Sequence, residues 1–240
     1  MEKTCERIEK WISEKTKDAR ARGCVFGMSG GLDSSVLAVL AKRALGRKAL
    51  GLIMPCESET KGRELALDVA KRFGVNVKEM DLTRVYNTLV SILPKGDETS
   101  RGNLKARLRM LVLYYFANSK KYLVLGTGNR SELLLGHFTK YGDGGVDLLP
   151  LGGLYKTRIV HLARYLNLPK EIIEREPLAV IRPGQTGRGE PGFTYEKLDK
   201  ILGDIEGTEM LYSGLRDMMN VRKIIKRTEH KRGVPDICVF

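Results

Sequence analysis

GMSGGLDSS, residues 27–35, follows the short apolar run Cys24-Val25-Phe26 and precedes Val36, Leu37, Val39, Leu40 and Leu45 at helical spacing. The nonamer therefore joins a buried strand to the N-terminus of a helix. Backbone N–H groups at such a junction have no intrahelical partner, and the helix dipole favours an anion there. Gly27, Gly30 and Gly31 let backbone approach a phosphate closely. The stretch is neither a Walker A loop, since no GK[ST] follows, nor a G-x-G-x-x-G dinucleotide fingerprint. Asp33 is the informative residue. A carboxylate beside phosphates repels them unless a cation lies between.

Outward from this junction the pattern alternates. A helix is expected over 2–20, a second strand over Lys48–Met54, a helix over Lys61–Phe73 stopping at Gly74, and a third strand over Val75–Asp81. A helix over Thr83–Leu93 ends before Pro94, another covers Leu104–Asn118, and Tyr122–Leu125 is a fourth short strand. This alternation predicts an α/β fold with a doubly wound, mainly parallel sheet flanked by helices, of Rossmann-like type. Ligands of such sheets sit at the carboxyl ends of the strands, where the nonamer and Gly126-Thr127-Gly128 both fall. Beyond residue 150, LYKTRIVHLARYLNL reads as a helix, and short helices follow around Tyr195–Leu202 and Asn220–Arg227. Between them, residues 176–194 hold three Pro and four Gly, the composition of a binding loop or lid, placed at 177–192.

The 240 residues suit one large domain over 1–240. No apolar run is long enough for a membrane span, the N-terminus MEKTCERIEKWISEK is not a signal peptide, and a cytoplasmic protein is expected. Cys5, Cys24, Cys56 and Cys238 form no C-x-x-C pair, which argues against zinc, an iron–sulfur cluster or a disulfide framework. Lys plus Arg is 42 against 29 acidic residues, and the net +13 favours anionic partners. Nucleic acid is not the expected one, because no aromatic-basic binding tract accompanies the charge.

SGGLDSS resembles the signature loop of the N-type ATP pyrophosphatases, which split ATP between its α and β phosphates and adenylate a carboxyl or carbonyl group. GTGNRSELLLGHFTKYGDGGVDLLPLGGLYKT at 126–157, GNLKARLRM at 102–110 and the terminal HKR followed by proline are similar to the NAD synthetase family. The resemblance spans nearly the whole chain. It implies ATP-dependent amidation of deamido-NAD with ammonia, giving NAD, AMP and pyrophosphate through an adenylated intermediate. Some family members carry an added glutaminase domain, for which this chain has no room, so it resembles the ammonia-dependent kind. A homodimer is implied, with the N-terminal helix and the 104–118 helix as candidate interface elements.

The resemblance also implies site residues. Gly27, Met28, Ser29, Gly30, Gly31, Leu32, Asp33, Ser34, Thr127 and Lys156 would bind ATP as co-substrate, and Asp33 with Glu132 would hold Mg2+. Arg107, Lys140, Asp147, His230 and Lys231 would contact deamido-NAD. Asp143, in YGDGG, would attract ammonium or accept its proton, so that Asp143, Lys156 and Asp33 carry the catalysis. Arg109 lies two residues from Arg107 on the same helix, and one of the two can be plain surface charge.

The segment PLAVIRPGQTGRGEPG departs from the family pattern. Leu178 stands where Ser or Thr is usual, and Gly187 and Arg188 stand where two acidic residues are usual. Losing one neutral hydrogen bond weakens ATP binding by about 1 kcal/mol. Two other readings stay open on the sequence: a paralogue that adenylates a different carboxylate, motivated by this segment, and a tRNA-modifying enzyme, motivated by the charge.

Overall fold

The structure, a computed structural model, describes residues 1–57, 60–174, 193–208 and 214–239. The expected lid at 177–192, with Leu178, Gly187 and Arg188, lies outside the described residues. The first half of the chain runs α1 (Glu2–Asp18), β1 (Gly23–Gly27), α2 (Leu32–Leu45), β2 (Ala49–Ile53), α3 (Thr60–Phe73), β3 (Asn76–Glu79), α4 (Thr83–Ile92), α5 (Glu98–Lys120) and β4 (Tyr122–Leu125). The remainder adds α6 (Arg130–Leu135), α7 (Lys156–Tyr165), α8 (Lys170–Glu174), α9 (Tyr195–Ile205) and α10 (Leu215–Arg227).

The four strands form one parallel sheet in the order β3-β2-β1-β4. Cys24 pairs with Ala49 on one side and Leu123 on the other. The chain steps from β1 to β2 to β3, then returns to lay β4 on the far side of β1. The order reverses at β1, so a crevice opens beyond the carboxyl ends of β1 and β4. The expected doubly wound parallel sheet is what the chain forms.

Period-two alternation assigns the two faces. Cys24 and Phe26 enter one core with α1, α2, α3 and α7, while Val25 enters a second with Leu50, Leu52, Val124, Tyr86 of α4 and Leu108, Leu113 and Ala117 of α5. Helix α2 reads as amphipathic in sequence, yet every residue from Ser34 to Ala41 is buried. It lies between the sheet and a second layer of helices, α1 and α7, so both its faces are covered. A third, smaller core joins Leu135 of α6, Tyr195, Leu198, Ile201 and Leu202 of α9, and Val221 of α10.

Several boundaries differ from the sequence reading. Helix α5 begins six residues before Leu104, because the Asp97 carboxylate accepts the Ser100 N–H at 2.7 Å and caps a polar first turn. β3 is shorter than Val75–Asp81, and α10 starts earlier than Asn220. Helices α6 and α8 have six and five residues, too few for a periodic signal.

Candidate active site

The nonamer wraps the amino end of α2. Gly30 has φ +75°, and a Cβ there would lie 2.1 Å from the Gly62 carbonyl oxygen of α3. Left-handed backbone and close packing together require glycine. Gly31 caps α2 with no side chain. The loop is braced by its own serines: the Ser34 and Ser35 hydroxyls donate to the Gly31 carbonyl at 3.0 and 2.8 Å, and the Gly31 N–H donates to Ser29 Oγ at 3.2 Å. The side chains of Met28 and Leu32 point into the core, so these two residues offer backbone only.

Asp33, in the first turn of α2, meets two distant segments. Its Oδ1 accepts from the Asn129 amide at 3.0 Å, and its Oδ2 is paired with the Lys156 ammonium. Asn129 is fully buried and caps α6 in a reciprocal box: the Glu132 N–H donates to Asn129 Oδ1 at 3.0 Å and the Asn129 N–H to Glu132 Oε2 at 3.2 Å. One residue thereby links the two carboxyl groups, its side-chain amide donating to Asp33 and its backbone N–H to Glu132. Lys156 opens α7, is buried, and lies 5.5 Å from the centre of the Tyr195 ring.

Burial pushes the Glu132 carboxyl up to about 7, and the neighbouring Asp33 charge adds to this while Lys156 opposes it. Two hard carboxylates in one place are the donor type that Mg2+ takes. Among the described residues no third acidic, His or Cys side chain joins them. That suits a cation that keeps its other positions for phosphate oxygens and water. The residues present therefore fit Mg2+.

A cleft of about 430 Å³ adjoins this cluster at the carboxyl edge of the sheet. The expected residues Gly27, Met28, Ser29, Ser34, Thr127 and Asp143 line it, opposite Met54 and Pro55. Arg109 lines it as well, donating through Nε to the Met54 carbonyl at 3.0 Å, and burial lowers its pKa. Arg107 is the exposed member of the pair and donates to the Lys140 carbonyl at 3.3 Å.

The residues expected to meet the dinucleotide converge on the loop at 137–143. Lys140 Nζ donates to the His230 carbonyl at 2.5 Å, and Lys231 Nζ donates to the Gly136 and Phe138 carbonyls at 2.8 and 2.9 Å. Asp143 Oδ1 accepts the Thr139 N–H at 2.8 Å, which holds the loop closed on itself. Asp147 stands apart. Its carboxylate accepts the Val124 N–H at 2.8 Å and the Tyr114 hydroxyl at 3.0 Å, so it braces β4.

Sequence reasoning passed over Asn129, Ser131, Tyr195 and Asp199, and left Arg109 undecided. Asn129 three residues before Glu132 is a legible capping signal. Asp199 on the apolar face of α9 was visible as an anomaly of pattern, but its partners were not.

The family model described as NAD synthase matches residues 4–235. The NH(3)-dependent NAD(+) synthetase of Finegoldia magna is 46% identical over 96% of this chain and 93% of its own. That of Carboxydothermus hydrogenoformans is 42% identical over 98% and 97%. Among solved structures, the NH3-dependent NAD synthetase of Campylobacter jejuni superposes with a TM-score of 0.87 at 31% identity, covering 99% of this chain and 98% of that one. The NMN synthetase of Francisella tularensis superposes with a TM-score of 0.85 at 29% identity, covering 100% and 98%.

Proposed function

Since the chain belongs to the NAD synthase family, we propose that it amidates deamido-NAD with ammonia at the expense of ATP, releasing AMP and pyrophosphate. The observation that carries the reading is the meeting of Asp33, Glu132 and Lys156 beside a cleft lined by the nonamer and Thr127. The relatives' names support it over nearly their full length. They do not favour the RNA-directed reading that net charge alone leaves open.

ATP lies in the cleft with its phosphates toward the amino end of α2. Asp33 and Glu132 would hold Mg2+, which supplies charge neutralisation between the carboxylates and the phosphates. Lys156 contributes the fixed positive charge of this chain, at the point where pyrophosphate departs. The nicotinate carboxylate oxygen attacks the α-phosphorus. The bond from that phosphorus to the bridging oxygen breaks, and pyrophosphate leaves with the electron pair. Ammonia then attacks the activated acyl carbon, the bond to AMP breaks, and Asp143 takes a proton from nitrogen. Arg107, Lys140, His230 and Lys231 bind and orient the dinucleotide around the 137–143 loop, with Asp147 supporting the sheet beneath it.

The 240 residues act as one catalytic unit, located in the cytoplasm. No described helix is long and apolar enough to cross a membrane. The working form is a homodimer. The apolar face of α1 (Cys5, Ile8 and Ile12) is buried in the core it shares with α2, whereas Leu111 and Tyr115 of α5 are 60% and 72% exposed. Helix α5 is therefore the better interface element, and sizing chromatography should return twice the chain mass.

The assay supplies ATP, Mg2+, ammonium and either deamido-NAD or the acid corresponding to NMN, and follows NAD with an alcohol dehydrogenase readout and pyrophosphate release directly. NAD formation that disappears in Asp33→Ala supports the reading. Pyrophosphate release only with the mononucleotide acid would instead place the chain with the Francisella protein. Release with neither acid would overturn the reading.

A further inference from the structure

One helix grips both segments that carry Glu132 and Lys156. Asp199 is 6% exposed in the middle of α9. Its Oδ1 accepts the Ser131 hydroxyl at 2.6 Å, and its Oδ2 accepts the Thr157 N–H at 2.9 Å. Ser131 Oγ in turn accepts the backbone N–H of Lys156 at 3.0 Å. Two helical turns further on, at the C-cap of α9, the Glu206 carboxylate is paired with the Arg130 guanidinium and accepts the Tyr155 hydroxyl at 2.6 Å.

The pattern is bilateral. Helix α9 holds Arg130 and Ser131 on one side, and Tyr155 and Thr157 on the other. The residues next to them, Glu132 and Lys156, are left directed at Asp33. Tyr195, in the first turn of α9, sets its ring beside the Lys156 ammonium. An apolar residue at 199 would join α9 to its small core without desolvating a carboxylate, because Leu198, Ile201 and Leu202 already pack there. What an apolar residue lacks is the pair of directed hydrogen bonds that fix the first turn of α7 against the cap of α6.

We propose that Asp199 is a positioning residue for the reaction: through Ser131 and the Thr157 N–H it sets where Lys156 meets the phosphates of ATP. The inference deepens the function proposed above and rests on it for the identity of the nucleotide. Asn at 199 keeps the size and still accepts from Thr157, but it offers one acceptor in place of two: its amide nitrogen donates to Ser131 Oγ, which reverses that hydrogen bond and takes away the acceptor of the Ser131 hydroxyl proton.

The test is a double-mutant cycle among Asp199→Asn, Ser131→Ala and Lys156→Ala, with folding checked by circular dichroism and thermal midpoint. In the folded protein, Asp199→Asn should lower kcat by about tenfold to a hundredfold with little change in KM for deamido-NAD. Asp199→Asn should then cost the Lys156→Ala background less than about threefold, because with Lys156 gone there is no ammonium left to position. Calorimetric Kd for Mg-ATP, measured without any acceptor acid, should show the same non-additivity. A folded Asp199→Asn with wild-type kcat, or an additive cycle, overturns the proposal. Should Asp199→Asn unfold, Ser131→Ala carries the same expectation. If both unfold, the pair is a folding element and the positioning role is overturned. An inactive wild type would overturn the proposed reaction, and the Mg-ATP cycle would still decide the coupling.

Discussion

Glu132 makes a divalent cation, and the absence of one, visible in stability. In the unfolded chain its carboxyl titrates at the ordinary 4.5, whereas in the fold burial and the Asp33 charge raise it to about 7. Below the unfolded value both states are protonated and Glu132 contributes no difference. Between the two values the unfolded chain has released a proton that the folded chain keeps, so stability falls as pH rises. Above the folded value both are ionised and the full penalty stands. At 1.36 kcal/mol per pH unit, the loss across this window is about 3 kcal/mol. The perturbation is Glu132→Gln, which keeps an oxygen to accept the Asn129 N–H and removes the charge. Urea unfolding with a chelator present, at pH 5, 6, 7 and 8 and constant ionic strength, reads the effect. The variant should be more stable by about 1 kcal/mol at pH 5, where the unfolded carboxyl is already mostly ionised, and by about 3 kcal/mol at pH 8. Taking their difference removes other titrating groups, including Asp199, which burial also raises. Millimolar Mg2+ should restore the wild type at pH 8 and leave the variant unmoved. A difference that stays flat from pH 5 to 8 would refute the reasoning, because Glu132 would then not be buried beside Asp33.

Further outcomes follow from the same geometry. Gly30→Ala combines a left-handed backbone with a Cβ 2.1 Å from a carbonyl oxygen, and should destabilise by about 2 kcal/mol or more. Gly74→Ala, at φ +64° in the turn that ends α3 and with open space around it, should cost only the conformational part, about 1 kcal/mol, so paired thermal melts separate strain from clash. Arg109→Met should raise KM for ATP by about tenfold or more, since a charged donor in the cleft is lost, whereas Arg107→Met should leave ATP affinity unchanged and weaken the dinucleotide. Lys231→Ala removes two bonds to the Gly136 and Phe138 carbonyls, and steady-state kinetics should show KM for deamido-NAD rising while KM for ATP holds. Asp147→Ala should lower the thermal midpoint by the equivalent of about 1–3 kcal/mol, because the Val124 N–H and Tyr114 hydroxyl lose their acceptor.

Much of this protein is written locally. The alternation of strands and helices, Gly30 at its turn, and Asp33 one residue into α2 all follow from spacing and residue type, because backbone sterics and 2.0- or 3.6-residue periodicity act over a few positions. The motifs at 27–35 and 126–157 carry the family in the same way. Local pattern does not reach the long-range pairings. Asp33 and Lys156 are 123 residues apart, Asn129 and Asp33 are 96 apart, and Ser131 and Asp199 are 68 apart. Which of Arg107 and Arg109 turns into the cleft depends on how α5 is rotated against β1 and β4, and the packing of Leu108 and Leu113 decides that. Burial is likewise a tertiary property. Glu132 has the sequence of a solvated helix acid, and it becomes a carboxyl near 7 only because the fold buries it beside Asp33, 99 residues away in the chain.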